Sequence, residues 1–409
     1  MLKKWTKAAL FAATAMLLLA AGTFISCSDG GDDDEKKDSG VLDDSYLKIE
    51  DGVVIGYYYD KMPSDGHVKI PDGVTSIGDD AFYLCETLTS IDIPASVTSI
   101  GESAFYLCET LTSVEISAST INISEKAFYL CSALKSISIA GSVDSLGESA
   151  FSSCSSLGSV EFDCKEIGAY AFASCSALTS VKITGVESIG EKAFQFCRAL
   201  KTASITGDAA TLEKDVFAGC TNLESVEFDG KEIEGLAFYN DDFKNLKSVT
   251  IGENVTSIGF WAFYGRDALE SVQYKGTLAQ WAEIFNDEKL LEYPESIKMA
   301  DGTDLKTMTE ITAADLNGAK KIEKYAFSHL PSLKTVTIPK NVTRIGYSAF
   351  SGCTALAQVV FEDTKGWRYT ESDAYTDGSG IDVSGSEFNA GQLRSILGKW
   401  ALAYLYKSE

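Results

Sequence analysis

Residues 74 to 94 read Val-Thr-Ser-Ile-Gly-Asp-Asp-Ala-Phe-Tyr-Leu-Cys-Glu-Thr-Leu-Thr-Ser-Ile-Asp-Ile-Pro, and the chain then starts the same phrase again. Aligned on the Ala-Phe pair, the phenylalanines are Phe82, Phe105, Phe128, Phe151, Phe172, Phe194, Phe217, Phe238, Phe263, Phe327 and Phe350. Their spacings are 23, 23, 23, 21, 22, 23, 21, 25, 64 and 23 residues, and such a fixed period marks a stacked repeat. Alanine precedes the phenylalanine in ten of eleven units, Val216 being the exception. An Ile or Leu always stands five residues before it, as in Ile77, Ile100, Leu146 and Ile345.

A leucine six residues after the phenylalanine opens a second pattern, Leu-x-x-Φ-x-Φ, where Φ is apolar. Examples are Leu88, Ile91 and Ile93, then Leu111, Val114 and Ile116, and finally Leu356, Val359 and Phe361. Its end alternates with period two and is rich in β-branched residues, which predicts a short strand. Glycine often follows the Ile (Gly78, Gly101, Gly147, Gly168, Gly190, Gly259, Gly346) and marks a turn. The next stretch, Glu-x-Ala-Phe-x-x-Cys, reads as one short helical turn. A unit of about 23 residues offers only about five large apolar side chains, too few to offset the cost of ordering it. Units must therefore stack, with like positions forming ladders along one core and the strands forming a parallel sheet. At ~4.8 Å per strand, eleven units extend ~50 Å or more.

The unit at 74 to 94, and Asn341-Val-Thr-Arg-Ile-Gly-Tyr-Ser-Ala-Phe-Ser-Gly-Cys, resemble the leucine-rich repeat of BspA-like bacterial surface proteins. The resemblance covers about residues 50 to 361. It implies an α/β repeat fold: a leucine-rich-repeat solenoid with a parallel β-sheet on one face, short helical turns opposite, N- and C-terminal caps and one inserted helical element. Members of that family are surface antigens, and some are adhesins, so the resemblance implies binding to a host or bacterial surface protein. A structural or scaffolding lipoprotein of the cell envelope is the alternative.

The ends of the chain extend this organisation. Lys3, Lys4 and Lys7 precede an uncharged stretch, Ala8 to Ile25, which fits a secretory signal. Phe24-Ile25-Ser26-Cys27 resembles a lipoprotein cleavage motif, with Phe where the pattern prefers Leu. That resemblance implies removal of residues 1–26, acylation of Cys27 and attachment to the membrane, with the protein at the outer membrane or cell surface. An uncleaved membrane anchor is the other reading of those apolar residues. Residues 27–45, with the acidic run Asp32 to Asp34, read as a flexible tether rather than a calcium site. An N-terminal cap follows at 46–73. Nine repeats occupy 74–275, an insertion 276–320, two repeats 321–361 and a C-terminal cap 362–409.

In the insertion, Thr277 is an expected helix N-cap. The segment is either a binding protrusion or an element packed on the stack. Ala390 to Tyr406 reads as an amphipathic helix closing the far end.

Composition narrows the chemistry. The formal net charge is −24. Without the leader's three lysines, 32 cations face 59 anions, a balance that repels nucleic acid. His67 and His329 are the only histidines, with no serine or cysteine nucleophile evident beside either, and His329 reads as a surface filler. Eight cysteines follow a repeat phenylalanine by three residues: Cys85, Cys108, Cys131, Cys154, Cys175, Cys197, Cys220 and Cys353; Cys164 falls outside that column. They read as buried free thiols rather than as disulfides or a metal site, because no Cys-x-x-Cys pair or nearby histidine accompanies them. Asp373, Asp377, Gly378 and Asp382 lack calcium-loop spacing, and the sequons at Asn122, Asn254 and Asn341 fall within the repeat's own pattern. No phosphate loop follows a strand. No catalytic residue, metal, cofactor or small-molecule substrate is expected.

The best candidate binding face is the sheet. The residue between the last two apolar positions of each strand points outward. That column comprises Asp92, Glu115, Ser138, Glu161, Lys182, Ser204, Glu227, Thr250 and Gln273, beside a row of Ser and Thr from Ser90 to Ser271.

Overall fold

The computed structural model describes residues 46–239, 241–284, 289–346 and 348–363, and the backbone of three further strands, Trp367–Thr370, Ile381–Asp382 and Tyr404–Lys407. The proposed signal, Cys27, the acidic run, Asp373, Asp377 and Gly378 lie outside these residues.

Each unit contributes two strands. The Leu-x-x-Φ-x-Φ segment gives strands such as Ser90–Ile93, Ser113–Ile116 and Ser136–Ile139, paired in parallel with Ser90 opposite Ser113 and Ser113 opposite Ser136. The Ile before the glycine gives two-residue strands such as Ser76–Ile77 and Ser99–Ile100, also parallel and one unit apart. The two ladders meet in one nine-residue strand, Ser159–Ile167. Its first half pairs with Ser180–Thr184 and its second half with Ser142–Leu146. The cause is deletion: this unit has 21 residues, and the turn between its two strands is gone. Cys164 consequently comes into register with Val143 and is buried, which explains its place outside the cysteine column. Val226 to Ile233 is equally short, but Gly230 replaces the cysteine and the strand breaks into Ser225–Asp229 and Glu232–Ile233.

The corner expected as a helical turn takes a different form. Residues two before and two after the phenylalanine are left-handed, as in Asp80 (φ 54°) and Leu84 (φ 57°), or Ser149 (57°) and Ser153 (65°). Gly219, Gly265 and Gly352 occupy the later position in three units. This alternation turns every second N–H of the corner along the stack, while those between donate within their own turn, as Tyr83 N–H does to Asp80 O at 2.9 Å. Phe82 N–H donates to Ala104 O at 2.7 Å and Leu84 N–H to Tyr106 O at 2.8 Å, and the pattern repeats. A left-handed non-glycine residue costs about 1–2 kcal/mol, which the hydrogen bonds to the next unit offset.

Inside, the phenylalanine rings stack nearly parallel, with centroids 5.1 Å apart for Phe82–Phe105, 4.8 Å for Phe105–Phe128 and 4.9 Å for Phe128–Phe151. The stack runs on to Phe263, and Tyr57 of the cap extends it by one ring at 5.7 Å from Phe82. Beside it the cysteines are free thiols. From Cys108 onward the column's thiols donate to the phenylalanine carbonyl of the preceding unit: Cys108 to Phe82 at 3.0 Å, Cys131 to Phe105 at 3.1 Å, Cys154 to Phe128 at 3.2 Å and Cys220 to Phe194 at 3.1 Å. Cysteine suits the column because it is small, packs as an apolar residue and still supplies a donor. In the Phe263 unit the column holds Arg266, buried, whose Nη2 donates to Tyr239 O at 3.3 Å.

The segment 276–320 lies within the stack. Ser296–Lys298 pairs in parallel with Ser271–Tyr274, and Glu310–Ile311 pairs with Thr335–Ile338. Between them Leu278–Ile284 is the only α-helix among the described residues. Thr277 caps it: Gln280 N–H donates to Thr277 Oγ1 at 3.2 Å and Thr277 N–H to Gln280 Oε1 at 2.9 Å. The helix stands in for a missing rung. Trp281 Nε1–H donates to Ala326 O at 2.9 Å, the bond that a preceding phenylalanine N–H makes elsewhere. Ala282 O accepts from Glu323 N–H at 2.7 Å, as Ile322 O accepts from Gly346 N–H.

At the N-terminal end, the antiparallel hairpin Leu47–Glu50 and Val53–Tyr57 pairs onto Ser76–Ile77, and His67–Lys69 onto Ser90–Ile93. At the other end, Tyr404–Lys407 runs antiparallel to Arg344–Ile345 and to Trp367–Thr370. The helix expected over Ala390 to Tyr406 is thus corrected at its end, where Tyr404-Leu405-Tyr406 is strand; 390–403 lie outside the described residues. An open sheet edge needs backbone partners, and an aromatic, alternating segment supplies them as a strand. No helix among the described residues is long and apolar enough to cross a membrane.

Two outcomes follow from this packing. The glycine column exists because neighbouring backbones touch there: a Cβ on Gly190 would sit 2.2 Å from Ala169 N. Gly190→Ala should lower stability by about 2–3 kcal/mol, read as a fall in the chemical unfolding midpoint. Burial also pushes the thiols of Cys108, Cys131, Cys154 and Cys175 up, and those of Cys164 and Cys353 to about 12 and about 11. A folded-state value above the unfolded ~8.5 means the thiols' contribution is complete below about pH 8.5 and fades as pH rises from there. The melting temperature should therefore decline between about pH 8 and 10, and less steeply in Cys131→Ser, which keeps a donor and removes the titration.

Candidate functional site

The outward column of the sheet is laid out by strand register. Lys69, Asp92, Glu115 and Ser138 lie side by side in one run. Glu161, Lys182, Ser204, Glu227, Thr250, Gln273 and Lys298 form the second. All nine residues expected from the sequence are in these runs. Lys69 and Lys298 were missed because they belong to the cap and the insertion, outside the repeat pattern. Their flanking residues, such as Val160 and Phe162, are buried, so the column faces solvent.

The column mixes acidic, basic and uncharged polar side chains. Lys182 Nζ pairs with Glu161 Oε1 at 2.6 Å. Glu227 accepts from Lys275 and, at 2.7 Å, from Ser204 Oγ–H, and these bonds hold its carboxyl below the usual range. Such exposed pairs add little stability and remain available to a partner. Gln273 Nε2–H is engaged with Met299 O at 3.2 Å. The neighbouring row of hydroxyls, Ser159, Ser180, Thr202, Ser225 and Ser248, is also in register, with Ser248 and Ser225 hydrogen-bonded at 2.9 Å. Small side chains at Ala203 and Ser204 leave a shallow open groove of about 410 Å³ between Glu161, Lys182, Glu227 and Thr250.

One constellation was not evident from sequence. His67 Nδ1 lies 2.8 Å from Ser90 Oγ, and its Nε2 3.3 Å from Asp92 Oδ2. This corrects the expectation that no serine stands beside a histidine; Ser90 lies one 23-residue period further along the chain. His67 and Asp92 are more than two-fifths exposed, and Ser90 N–H donates to Gly66 O at 3.3 Å. His329, expected as a surface filler, is half-buried in a left-handed corner position (φ 54°), and its carbonyl accepts from Lys306 Nζ at 3.4 Å. The sequon asparagines serve the stack: Asn122 Oδ1 accepts from Ser145 Oγ–H at 3.0 Å, and Asn254 Nδ2 donates to Asp208 Oδ1 at 3.3 Å. Also missed were aromatic groups at the corner, the stacked Tyr83, Tyr106 and Tyr129 and the cluster of Tyr239, Phe260, Trp261 and Tyr264. Among the described residues, no group of three or more His, Cys, Asp or Glu is placed to hold a metal ion.

Comparison with known proteins places the chain. No curated relative matches it significantly. A leucine rich cell surface protein from Faecalibacterium prausnitzii is 23% identical, with 81% of this chain and 96% of that one covered and a TM-score of 0.33. A leucine-rich repeat protein from Bacteroides ovatus is 22% identical, covering 76% and 91%, with a TM-score of 0.29. The pneumococcal vaccine antigen PcpA is 18% identical, covering 78% and 80%, with a TM-score of 0.21. The BspA type leucine rich repeat region matches in six copies over residues 56–165, 156–270 and 296–380. With more than half of its length matched in this way, the chain belongs to the BspA type leucine rich repeat family.

Proposed function

We propose that this protein is a lipid-anchored cell-surface binding protein, held to the membrane through Cys27, that captures a protein partner on its sheet face and has no catalytic role. The observation that carries the reading is the outward column itself: Glu161, Lys182, Ser204, Glu227 and Thr250 stand in strict register beside a row of hydroxyls around an open groove. A broad polar surface with mixed charge, fixed by a rigid sheet beneath it, suits a protein partner that makes many modest contacts. An open groove encloses no small molecule, and a net charge of −24 disfavours nucleic acid. The leader and the acidic stretch after Cys27 support attachment at the membrane with the solenoid held away from it.

Two measurements test this reading. Protease treatment of intact cells, with detection of residues 100–250, should release the solenoid quickly by cutting the tether. Protection until lysis would place the protein inside the envelope and favour a scaffolding role. In a capture assay with the full-length protein, Ser204→Trp should fill the groove and weaken partner binding about tenfold with an unchanged melting temperature; undiminished capture would move the binding site off this face.

A further inference from the structure

In the corner column two residues before the phenylalanines, left-handed positions are held by Asp80, Ser103, Lys126, Ser149, Tyr170, Lys192, Leu236, Trp261, Tyr325 and Ser348. Leu236 (φ 67°) and Trp261 (φ 58°) stand there in consecutive units. The Trp261 ring remains 37% exposed. Around it stand Phe260 (48% exposed), Tyr239 (45%) and Tyr264 (37%). Trp261 lies 4.6 Å from Phe260 and 5.1 Å from Tyr264 between ring centroids; Tyr239 is 6.4 Å away, nearly parallel, and Tyr264 is tilted by 40°. A contiguous cluster of exposed aromatic rings of this kind points to use at the surface.

The chain shows what its exposed rings attract. Lys48 and Lys61 lie over Tyr58 at 4.9 and 4.6 Å, Lys192 over Tyr170 at 5.6 Å and Arg198 over Phe196 at 5.8 Å. Among the described residues, no cation lies over Tyr239, Phe260, Trp261 or Tyr264. The stretch of chain that carries them is acidic: residues 208–270 hold thirteen Asp and Glu against five Lys and Arg. One of the five, Arg266, is buried at the same corner and donates to the carbonyls of Tyr239 and Tyr264. Aromatic faces in a negative field favour a cation. We infer that the corner formed by Tyr239, Phe260, Trp261 and Tyr264 is a docking site for arginine or lysine side chains of a basic partner protein. The site is separate from the sheet face and does not rest on the function proposed for it.

The test is calorimetric titration of the full-length protein, in detergent and about 0.15 M salt, with acetylated hexa-arginine amide. Cellohexaose and chitohexaose serve as uncharged probes. Phe260→Ser combined with Trp261→Asn leaves the net charge unchanged and should weaken the peptide about tenfold. Trp261→Phe, which keeps an aromatic face, should retain most of the affinity, and Ser204→Trp should bind the peptide as the wild type does. Trp261→Asn alone should melt no lower than the wild type, since Asn tolerates the left-handed backbone. Equal peptide affinity in the wild type and the double variant would overturn the inference, because net charge alone would then account for binding. Oligosaccharide binding lost in the double variant, with no change toward the peptide, would equally overturn it in favour of a glycan site.

Discussion

The structure depends on hydrogen bonds that leave each unit. In a helix or hairpin, backbone donors find acceptors within the same element. Here the two strands and alternate residues of the left-handed corner direct donors to the next unit or the previous one, as Phe82 does to Ala104 and Cys108 to Phe82. No unit is satisfied alone, so none is stable alone, and both ends of the array must be closed. The N-terminal hairpin closes one end by imitating a unit, down to Tyr57 under the phenylalanine stack. The helix Leu278–Ile284 applies the same rule in the middle of the array. It is a different secondary structure, tolerated because Trp281 and Ala282 present a donor and an acceptor where the next unit needs them.

Much of this is legible in the sequence because the period is strict. The phenylalanine column, the strand pattern and the outward column follow from counting residues and from the alternation of strand side chains. What is not legible is decided by neighbours. Ala-Phe-x-x-Cys has helical spacing and no glycine, and only its bonds to the adjacent units hold residues such as Leu84 left-handed. The thiols look like small apolar filler, and their role as donors appears only once the preceding phenylalanine carbonyl is in place. His67 and Ser90 are one period apart, so adding the period to every polar residue of the cap would have found that pair. Lys69 and Lys298 join the outward column through pairing of segments that the repeat pattern does not reach. The C-terminal segment has an amphipathic pattern compatible with helix, and an open strand edge at Arg344–Ile345 makes its last residues a strand instead.

Unit length is the second variable the stack tolerates. Removing two residues between the strands fuses the ladders at Ser159–Ile167, where a β-forming cysteine bridges the gap, and the same removal leaves a break where Gly230 stands. The core adapts to such changes because every column is continued by its neighbours: the ring stack continues past both short units, at 5.4 Å for Phe151–Phe172 and 6.5 Å for Phe217–Phe238.

In a molecule built this way, regularity and function leave different traces. A position that repeats is explained by stacking, whatever its chemistry, which is why the sequons, the thiols and the Ser-Thr rows need no ligand to account for them. The outward column is different: its positions repeat, but its side chains vary between acid, base and hydroxyl from rung to rung, although stacking requires only that they be polar. Trp261 departs in another way, because it joins Tyr239, Phe260 and Tyr264 in an exposed aromatic cluster that the stack does not require. Side chains that the stack does not dictate are where a repeat protein's individual function is expected to lie, and in this chain they gather on the sheet between Glu161 and Thr250 and at the corner around Trp261.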